Sequence, residues 1–448
     1  MLKIFLWLRY LHKKKIVFLS IAAVAVSVSL LIVVSSLFTG FINAFEQSAV
    51  EAIGDVVLTP PSLFTKYPLL IERLKQADII KSATPVLEAP GLLNLGRGNV
   101  RPVQIWGIEP ESRATVTHLK QSLLKQKSSP GEPSFKIEGS DANSIGGFVG
   151  IGVLSEPNEQ TDEYDFDTIE KMIGQKVFVT TGTTPDEQNT NPGASFSRKI
   201  IQFQIADIIF SGIYPLDKEL VYLPIDQLQK KLYPDEELPV ARQIQIKLRD
   251  NADAEVAISV INGIWQNFVN EELNADQLLL RYTNITTAKE LQRQYVAAYR
   301  QQMGVLLLIF GVVSLGVILL VFCIFYMIVR MKQKDIAIIK SCGAASSSVA
   351  AVFVGFGACV GTIGSGLGIV LGYTITRNVN IIEKWINIIF GLKLWKSSVY
   401  MFSKIPNQVD WSMALRIAVL AIIAAAIGTL IPAVVAAGTK PVEILRYE

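Results

Sequence analysis

Catalytic and redox chemistry is what this sequence is short of. It has three cysteines, Cys323, Cys342 and Cys359. None falls in the polar middle of the chain, so that region carries no disulfide even in an oxidising compartment. The two histidines, His12 and His118, lie far apart, and no His/Cys/carboxylate cluster has metal-ligand spacing. No catalytic or metal site is therefore expected. A G-x-x-x-x-G-K-[ST] phosphate loop is missing, so ATP is not bound in that way. A G-x-S-x-G elbow and an H-E-x-x-H helix are missing too. The net charge is only +3, which gives no footprint for nucleic acid.

What the chain has is apolar length. Half of its 448 residues are hydrophobic, and its mean hydropathy is +0.38. Residues 1–15 interleave Lys3, Arg9, Lys13, Lys14 and Lys15 with Phe5, Trp7, Leu8 and Tyr10, the pattern of a helix lying in a membrane interface. Ile16–Phe45 carries no charge. As a helix it reaches about 45 Å, longer than the roughly 30 Å hydrocarbon core. A signal peptide has an apolar core of only about 7–15 residues, so this run is read as a retained anchor. Further spans are expected near Val305–Val329, Val349–Ile375 and Ile417–Ala437. None holds a charge at mid-depth, which an ion-coupled carrier needs.

Between the first two spans the composition changes. Short segments read as strands at Asp55–Leu58, Val100–Trp106, Lys176–Thr180, Ile200–Phe210 and Gln243–Leu248. Helical patterns fall at Leu69–Ala77, Ile225–Leu232 and Ala252–Glu271. The expectation is an α+β domain with mobile loops at 125–146 and 181–198. Ala288–Gln302 favours helix and is expected to run unbroken into the second span as a stalk. The sequon at Asn284 is read as chance.

The stretch Arg330–Ala344, RMKQKDIAIIKSCGA, lies between the second and third apolar runs. A helix through Lys334–Cys342 puts Asp335, Ile338, Ile339 and Cys342 on one side, and Gly343 fits a helix stop. Two readings stand at this point: a basic loop that only orients the chain, or a helix that docks a cytoplasmic partner. The third span carries Gly357, Gly361, Gly364, Gly368 and Gly372 on one face. Such small residues let another helix approach closely, within the subunit or across to a second one. Ile382–Leu394, with Trp385 and Phe390, is expected on the outer bilayer surface. Basic flanks at the N-terminus, at Arg330–Lys340 and at the C-terminus put all three in the cytoplasm, and residues 46–300 outside.

This layout resembles the FtsX/MacB-type (type VII) ABC transporter permeases, and within them the lipoprotein-releasing LolC/LolE group. KDIAIIKSCGA at Lys334–Ala344 is similar to their E/D-I-A-I-L-R-x-x-G-A coupling segment. Pro432, Ala433, Ala436, Ala437, Pro441, Val442 and Arg446 resemble their closing pattern. Phe5–Lys15, VSSLFTGF at Val34–Phe41, and Glu383, Val399, Tyr400, Pro406, Asp410 and Trp411 resemble the LolC/LolE group. The middle domain matches only faintly, through Gly107–Pro110 and Tyr222–Leu228.

The resemblance implies four transmembrane helices with a MacB-like extracytoplasmic α+β domain inserted between the first and second. The implied divisions are 1–15 interfacial helix, 16–45 first span, 46–287 outer domain, 288–329 stalk and second span, 330–347 coupling helix, 348–376 third span, 377–413 outer interfacial segment, 414–438 fourth span and 439–448 tail. It implies coupling to an ATPase through Lys334, Asp335, Ile336, Ile339, Lys340, Gly343 and Ala344. The chain itself would be non-catalytic and bind no cofactor, with ATP-Mg on a LolD-like ATPase subunit. A second permease subunit, a lipoprotein substrate, membrane lipid and a periplasmic carrier complete the implied partners at the cell inner membrane. A MacB-like exporter and an FtsX-like regulator of wall hydrolases are the alternatives.

Overall fold

The computed structural model describes residues 15–96, 98–137, 144–158, 161–183, 197–402 and 404–438. The expected interfacial helix up to residue 14, residues 138–143 of the first expected mobile loop, residues 184–196 of the second, and the closing Pro441, Val442 and Arg446 lie outside the described residues. The chain divides into two compact units. One joins residues 1–44, 296–385 and 405–448; the other joins 45–295 and 386–404.

Among the described residues, four helices are long and apolar enough to cross a membrane. The first, α1 (Lys15–Ile53), contributes residues to both units. Its charge-free stretch explains the length of the span, and Gly54, at φ +84°, ends it.

The second unit is a mixed α+β fold, as expected. In chain order it contains β1 (Val56–Thr59), β2 (Phe64–Thr65), α2 (Tyr67–Lys75), β3 (Ile80–Asn94), β4 (Val100–Ile108), α3 (Pro110–Val116) and β5 (Gly146–Gly150). Then follow β6 (Lys176–Thr183), β7 (Ser197–Ile209), α4 (Tyr214–Glu219), β8 (Leu220–Pro224), α5 (Ile225–Leu232), β9 (Val240–Ala241), β10 (Gln243–Leu248), α6 (Ala254–Glu272) and β11 (Asn284–Thr287). The ladders β3–β4–β8–β5–β7–β6 close back on β3, making a six-stranded barrel. On the edge of β3 opposite β4, β10 precedes β6 and extends the sheet to β1 and β11. Alternation fills the barrel: Leu93, Val103, Ile105, Val179, Ile201, Phe203 and Ile205 share one buried cluster. Helix α6 covers the open sheet with Trp265 and Phe268, and Trp265 meets Phe64 edge to face.

Among the described residues, six strands, β2, β3, β5, β8, β9 and β11, were not read from the sequence. Pro85 and Pro90 interrupt β3, which argues against a long central strand; both nevertheless keep their place in the pairing register. In β5, glycines stand where neighbours crowd the backbone. A Cβ on Gly147 would lie 2.7 Å from the Phe203 ring, and one on Gly150 would lie 2.2 Å from the Asp217 carbonyl oxygen.

After β11 the chain forms a single turn of helix, Ala288–Leu291, and then α7 (Arg293–Met331). The stalk is therefore not continuous from Ala288. The Gln292 amide folds back on the Lys289 carbonyl at 3.2 Å, closing the first turn before α7 starts. Next come α8 (Gln333–Ser341), α9 (Ser346–Arg377), α10 (Val379–Phe390), α11 (Trp411–Gly428) and α12 (Leu430–Gly438). The last two make one span with a break at Thr429. Pro432 has no N–H for the Gly428 carbonyl, and at the break the Thr429 amide and hydroxyl both donate to the Ala426 carbonyl, at 3.2 and 2.8 Å.

Within the spanning unit the glycine ladder of α9 serves two neighbours. Cβ atoms on Gly364 and Gly368 would lie 2.8 and 2.7 Å from the Cβ of Val24 and Val28 on α1, and one on Gly372 would lie 3.0 Å from Ile32. A Cβ on Gly361 would lie 2.9 Å from the Cβ of Ala425 on α11, and one on Gly357 would lie 2.4 Å from the Thr429 hydroxyl. All five glycines thus pack inside the same chain. Helix α7 is the least covered span: 6% of its most apolar stretch is buried, against 39–44% for the other three.

Candidate coupling site

Helix α8 forms because Lys332–Ser341 has no breaker and opens with an acid. Asp335, in its first turn, suits the positive end of the helix dipole and pairs with Lys332. The helix stops in a Schellman arrangement. The Gly343 amide donates to the Lys340 carbonyl at 3.0 Å and the Ala344 amide to the Ile339 carbonyl at 3.3 Å. Gly343 has φ +91°, a conformation glycine adopts freely.

The two faces of α8 differ. Ile336 and Ala337 are buried, and Ile336 shares a cluster with Val349, Ala433 and Ala436. Ile336, expected among the coupling residues, therefore sits inside the spanning unit. The opposite face shows Asp335, Ile338, Ile339 and Cys342, with Ile338 53% and Ile339 42% exposed. Lys334 and Gly343 are exposed, and Ala344 is half-buried. Ile338, outside the set implied by resemblance, is the most exposed large apolar side chain of the helix. Lys340 makes a contact within the chain that the sequence did not show. Its Nζ donates to the Ala437 carbonyl at 2.7 Å, in the last turn of α12. A cation on a helix C-terminus is favourable, so Lys340 seats α8 on the fourth span.

The α+β unit holds a feature that sequence reasoning missed. Residues 386–404, part of the expected outer interfacial segment 377–413, belong to this unit. The Ser397 amide donates to Asp162 Oδ2 at 2.6 Å, and the Tyr214 amide donates to the Met401 carbonyl at 2.8 Å. Ile213 and Phe402 form a β-bridge, and Trp395 Nε1 donates to the Phe402 carbonyl at 2.8 Å. The available signal was the aromatic trio Trp395, Tyr400 and Phe402 in a polar stretch. Asp217 shapes the receiving loop: it accepts from the Ser211 amide and hydroxyl at 2.8 and 2.7 Å and from the Gly212 amide at 3.0 Å. Burial pushes its carboxyl up to about 6, against these hydrogen bonds, which lower it.

Among the described residues, no group of His, Cys, Asp and Glu could hold a metal ion. An apolar cleft of about 280 Å³ lies between α1, α7 and α11, lined by Val24, Leu31, Leu307, Gly311, Leu420 and Ala424 among others. Ser27 donates there to Ser314 at 2.8 Å, while Ser314 donates to the Phe310 carbonyl at 2.9 Å.

The chain is similar along its whole length to known membrane proteins. It is 26% identical to the lipoprotein-releasing system transmembrane protein LolC of Neisseria meningitidis, covering 100% of this chain and 99% of that protein. It is 25% identical to LolE of Haemophilus influenzae, over 95% and 93% of the two chains. It is 24% identical to LolC of Xylella fastidiosa, over 100% and 99%. The resemblance to FtsX/MacB-type permeases of the LolC/LolE group thus extends over the full chain. No protein-family model matches it. Among solved structures, the periplasmic region of MacB from Actinobacillus actinomycetemcomitans is similar with TM-score 0.28 and 11% identity, over 55% of this chain and 95% of that one. The extracellular domain of the ABC-type transporter YknZ from Gram-positive bacteria gives TM-score 0.29 and 11% identity, over 52% and 98%.

Proposed function

We propose that this chain is the permease subunit of an ABC transporter that releases lipoproteins from the inner membrane. The observation that carries the coupling role is the exposed Asp335, Ile338, Ile339 and Cys342 face of α8, on a helix whose opposite face is buried in the spanning unit. Apolar side chains on a short, anchored helix between two spans are suited to a groove on a soluble subunit. The full-length similarity to lipoprotein-releasing transmembrane proteins supports the substrate class.

In this reading α8 faces the cytoplasm and the α+β unit faces outward. A separate ATPase chain holds ATP-Mg, and this chain performs no bond chemistry. A second permease subunit packs against the spanning helices. Extracting acyl chains from a leaflet costs about 0.8 kcal/mol per CH₂, which calls for an energy source. ATP-driven motion of α8 is relayed through the spans to the outer unit. The exposed apolar side chains Ile381, Trp385, Ile388, Ile389 and Phe390 of α10 rest at the outer bilayer surface.

The test is purification of the tagged full chain from membranes in mild detergent, with mass spectrometry of what accompanies it. An ATPase subunit together with acylated lipoproteins is the expected result. An ATPase with an outer-membrane tunnel would replace lipoprotein release by export. Absence of an ATPase, under conditions that preserve a known ABC complex, would end the transporter reading.

A further inference from the structure

Arg113 is fully buried, yet among the described residues no carboxylate lies within ion-pair distance of it. A buried cation without an anion is costly unless other groups solvate it. Here three oxygens and two rings do so. Nη1 donates to Gln245 Oε1 at 2.8 Å, and Nη2 donates to the Tyr222 hydroxyl at 3.1 Å and to the Ala52 carbonyl at 2.9 Å. The guanidinium carbon lies 5.0 Å from the Trp106 ring centroid and 4.9 Å from that of Tyr222, both in cation–π range.

Ala52 stands in the last turn of α1, where carbonyls lack intrahelical partners and the helix dipole is negative. The neighbouring Glu51 carbonyl accepts from the His118 amide at 3.0 Å. Two of the terminal carbonyls of α1 are thus taken by one short segment, 113–118. Gly54 then turns the chain where nothing larger fits. A Cβ there would lie 2.8 Å from both the Ile246 carbonyl oxygen and Val116. The Asp55 amide closes the junction on the Ile246 carbonyl at 2.9 Å, and the Asp55 carbonyl accepts from the Ala288 amide at 2.9 Å. The last turns of α1, from Phe45 on, belong to the α+β unit, and all of these contacts lie within it.

We propose that Arg113 is a positioning residue that locks the end of α1 into the α+β unit, so that displacement of the first span is passed to that unit without slack. This rests on the permease reading above. An arginine lying over the neighbouring Trp106 and Tyr222 rings suits the task because its rigid fork reaches helix, strand and ring together, which a lysine cannot do.

The experiment uses the full complex in proteoliposomes loaded with a purified triacylated lipoprotein. Arg113→Met and Arg113→Lys are compared with the wild type for ATP hydrolysis, lipoprotein release and amide hydrogen exchange. In Arg113→Met, the amides of Gly54, Asp55 and His118 are expected to exchange at least tenfold faster, while those of β7 and β8 stay at the wild-type rate. Release per ATP is expected to fall at least fivefold with hydrolysis within twofold of wild type. Arg113→Lys should fall between the two. A purely structural role would instead speed exchange throughout the unit without changing release per ATP for the folded fraction. Should Arg113→Met fail to fold, Arg113→Lys decides. Wild-type release per ATP in either variant with fast joint exchange overturns the proposal, as does unchanged joint exchange in Arg113→Met. A wild-type chain that binds no ATPase would overturn the permease reading instead, and the lock would then be judged by exchange alone.

Discussion

The Lys340 ammonium donates to the Ala437 main-chain carbonyl at 2.7 Å, across 97 residues of sequence. Helix α8 and the fourth span are joined there by a charge on a helix C-terminus, an interaction of about 0.3–1 kcal/mol at exposed sites and up to ~2 when partly buried. Lys340→Glu reverses that charge and is expected to loosen α8, cutting lipoprotein release severalfold while membrane insertion stays intact. Lys340→Arg should retain most activity. Equal release by Lys340→Glu and the wild type would remove the seating role.

Gly343 tests the stop of α8 separately. Among the described residues, no atom beyond the chain neighbours lies within 4 Å of a Cβ built there, so a substitution meets backbone strain at φ +91°. That strain is on the order of 1–2 kcal/mol for an ordinary residue. Gly343→Ala is expected to weaken the stop, and Gly343→Pro to abolish it by deleting the N–H that reaches Lys340. Graded loss of release, with Pro below Ala below wild type and equal insertion of all three, is the expected order in proteoliposomes.

The third span offers a matched pair. On Gly368 an added Cβ would lie 2.7 Å from Val28 and 2.9 Å from the Ala25 carbonyl, whereas Gly366 has nothing within 4 Å. Overpacking costs typically 1–3 kcal/mol, while alanine gains up to about 1 kcal/mol over glycine within a helix. Gly368→Val should lower Tm in detergent by several degrees, and Gly366→Ala should leave it unchanged or raise it. Equal Tm values for Gly368→Val and the wild type would contradict the packing of α9 on α1.

Asp217 gives a pH dependence. Its folded-state carboxyl titrates near 6, above the ordinary value of 3.8. The folded state therefore binds the proton more tightly than the unfolded state. The resulting stabilisation is full below about pH 3.8 and is lost as the pH rises through 6. Between pH 7.5 and 5 the gain is about 1 kcal/mol. The Tm gain on that shift is expected to be larger in the wild type than in Asp217→Asn. Parallel Tm curves for the two would show that Asp217 does not titrate there.

Sequence legibility tracked periodicity. The strand Gln243–Leu248 and the helix Ile225–Leu232 are found at their expected residues, because alternation and the 3.6 period were unbroken. The four apolar spans were clear for the same reason. Strand β3 was hidden because Pro85 and Pro90 break a pattern that tertiary pairing restores. Barrel closure was hidden because β3–β6 and β4–β8 pairing joins distant segments. At the candidate site the exposed face of α8 followed from spacing. The inward turn of Ile336 and the grip of Lys340 on Ala437 depend on where α12 ends, which no local pattern reveals. Arg113 gave no signal, since an arginine on a short polar helix ordinarily reads as exposed.

The central claim is that the exposed apolar face of α8 holds a separate ATPase. The most direct measurement is the amount of ATPase retained by the tagged full chain when Ile338 and Ile339 are both replaced by Asp. Burial of each isoleucine against a partner contributes about 1.5–3 kcal/mol, so the double variant should retain at least tenfold less ATPase. Its membrane level should be unchanged, and Lys334→Ala should bind nearly as the wild type does. Undiminished ATPase on the Ile338→Asp/Ile339→Asp chain would contradict the account.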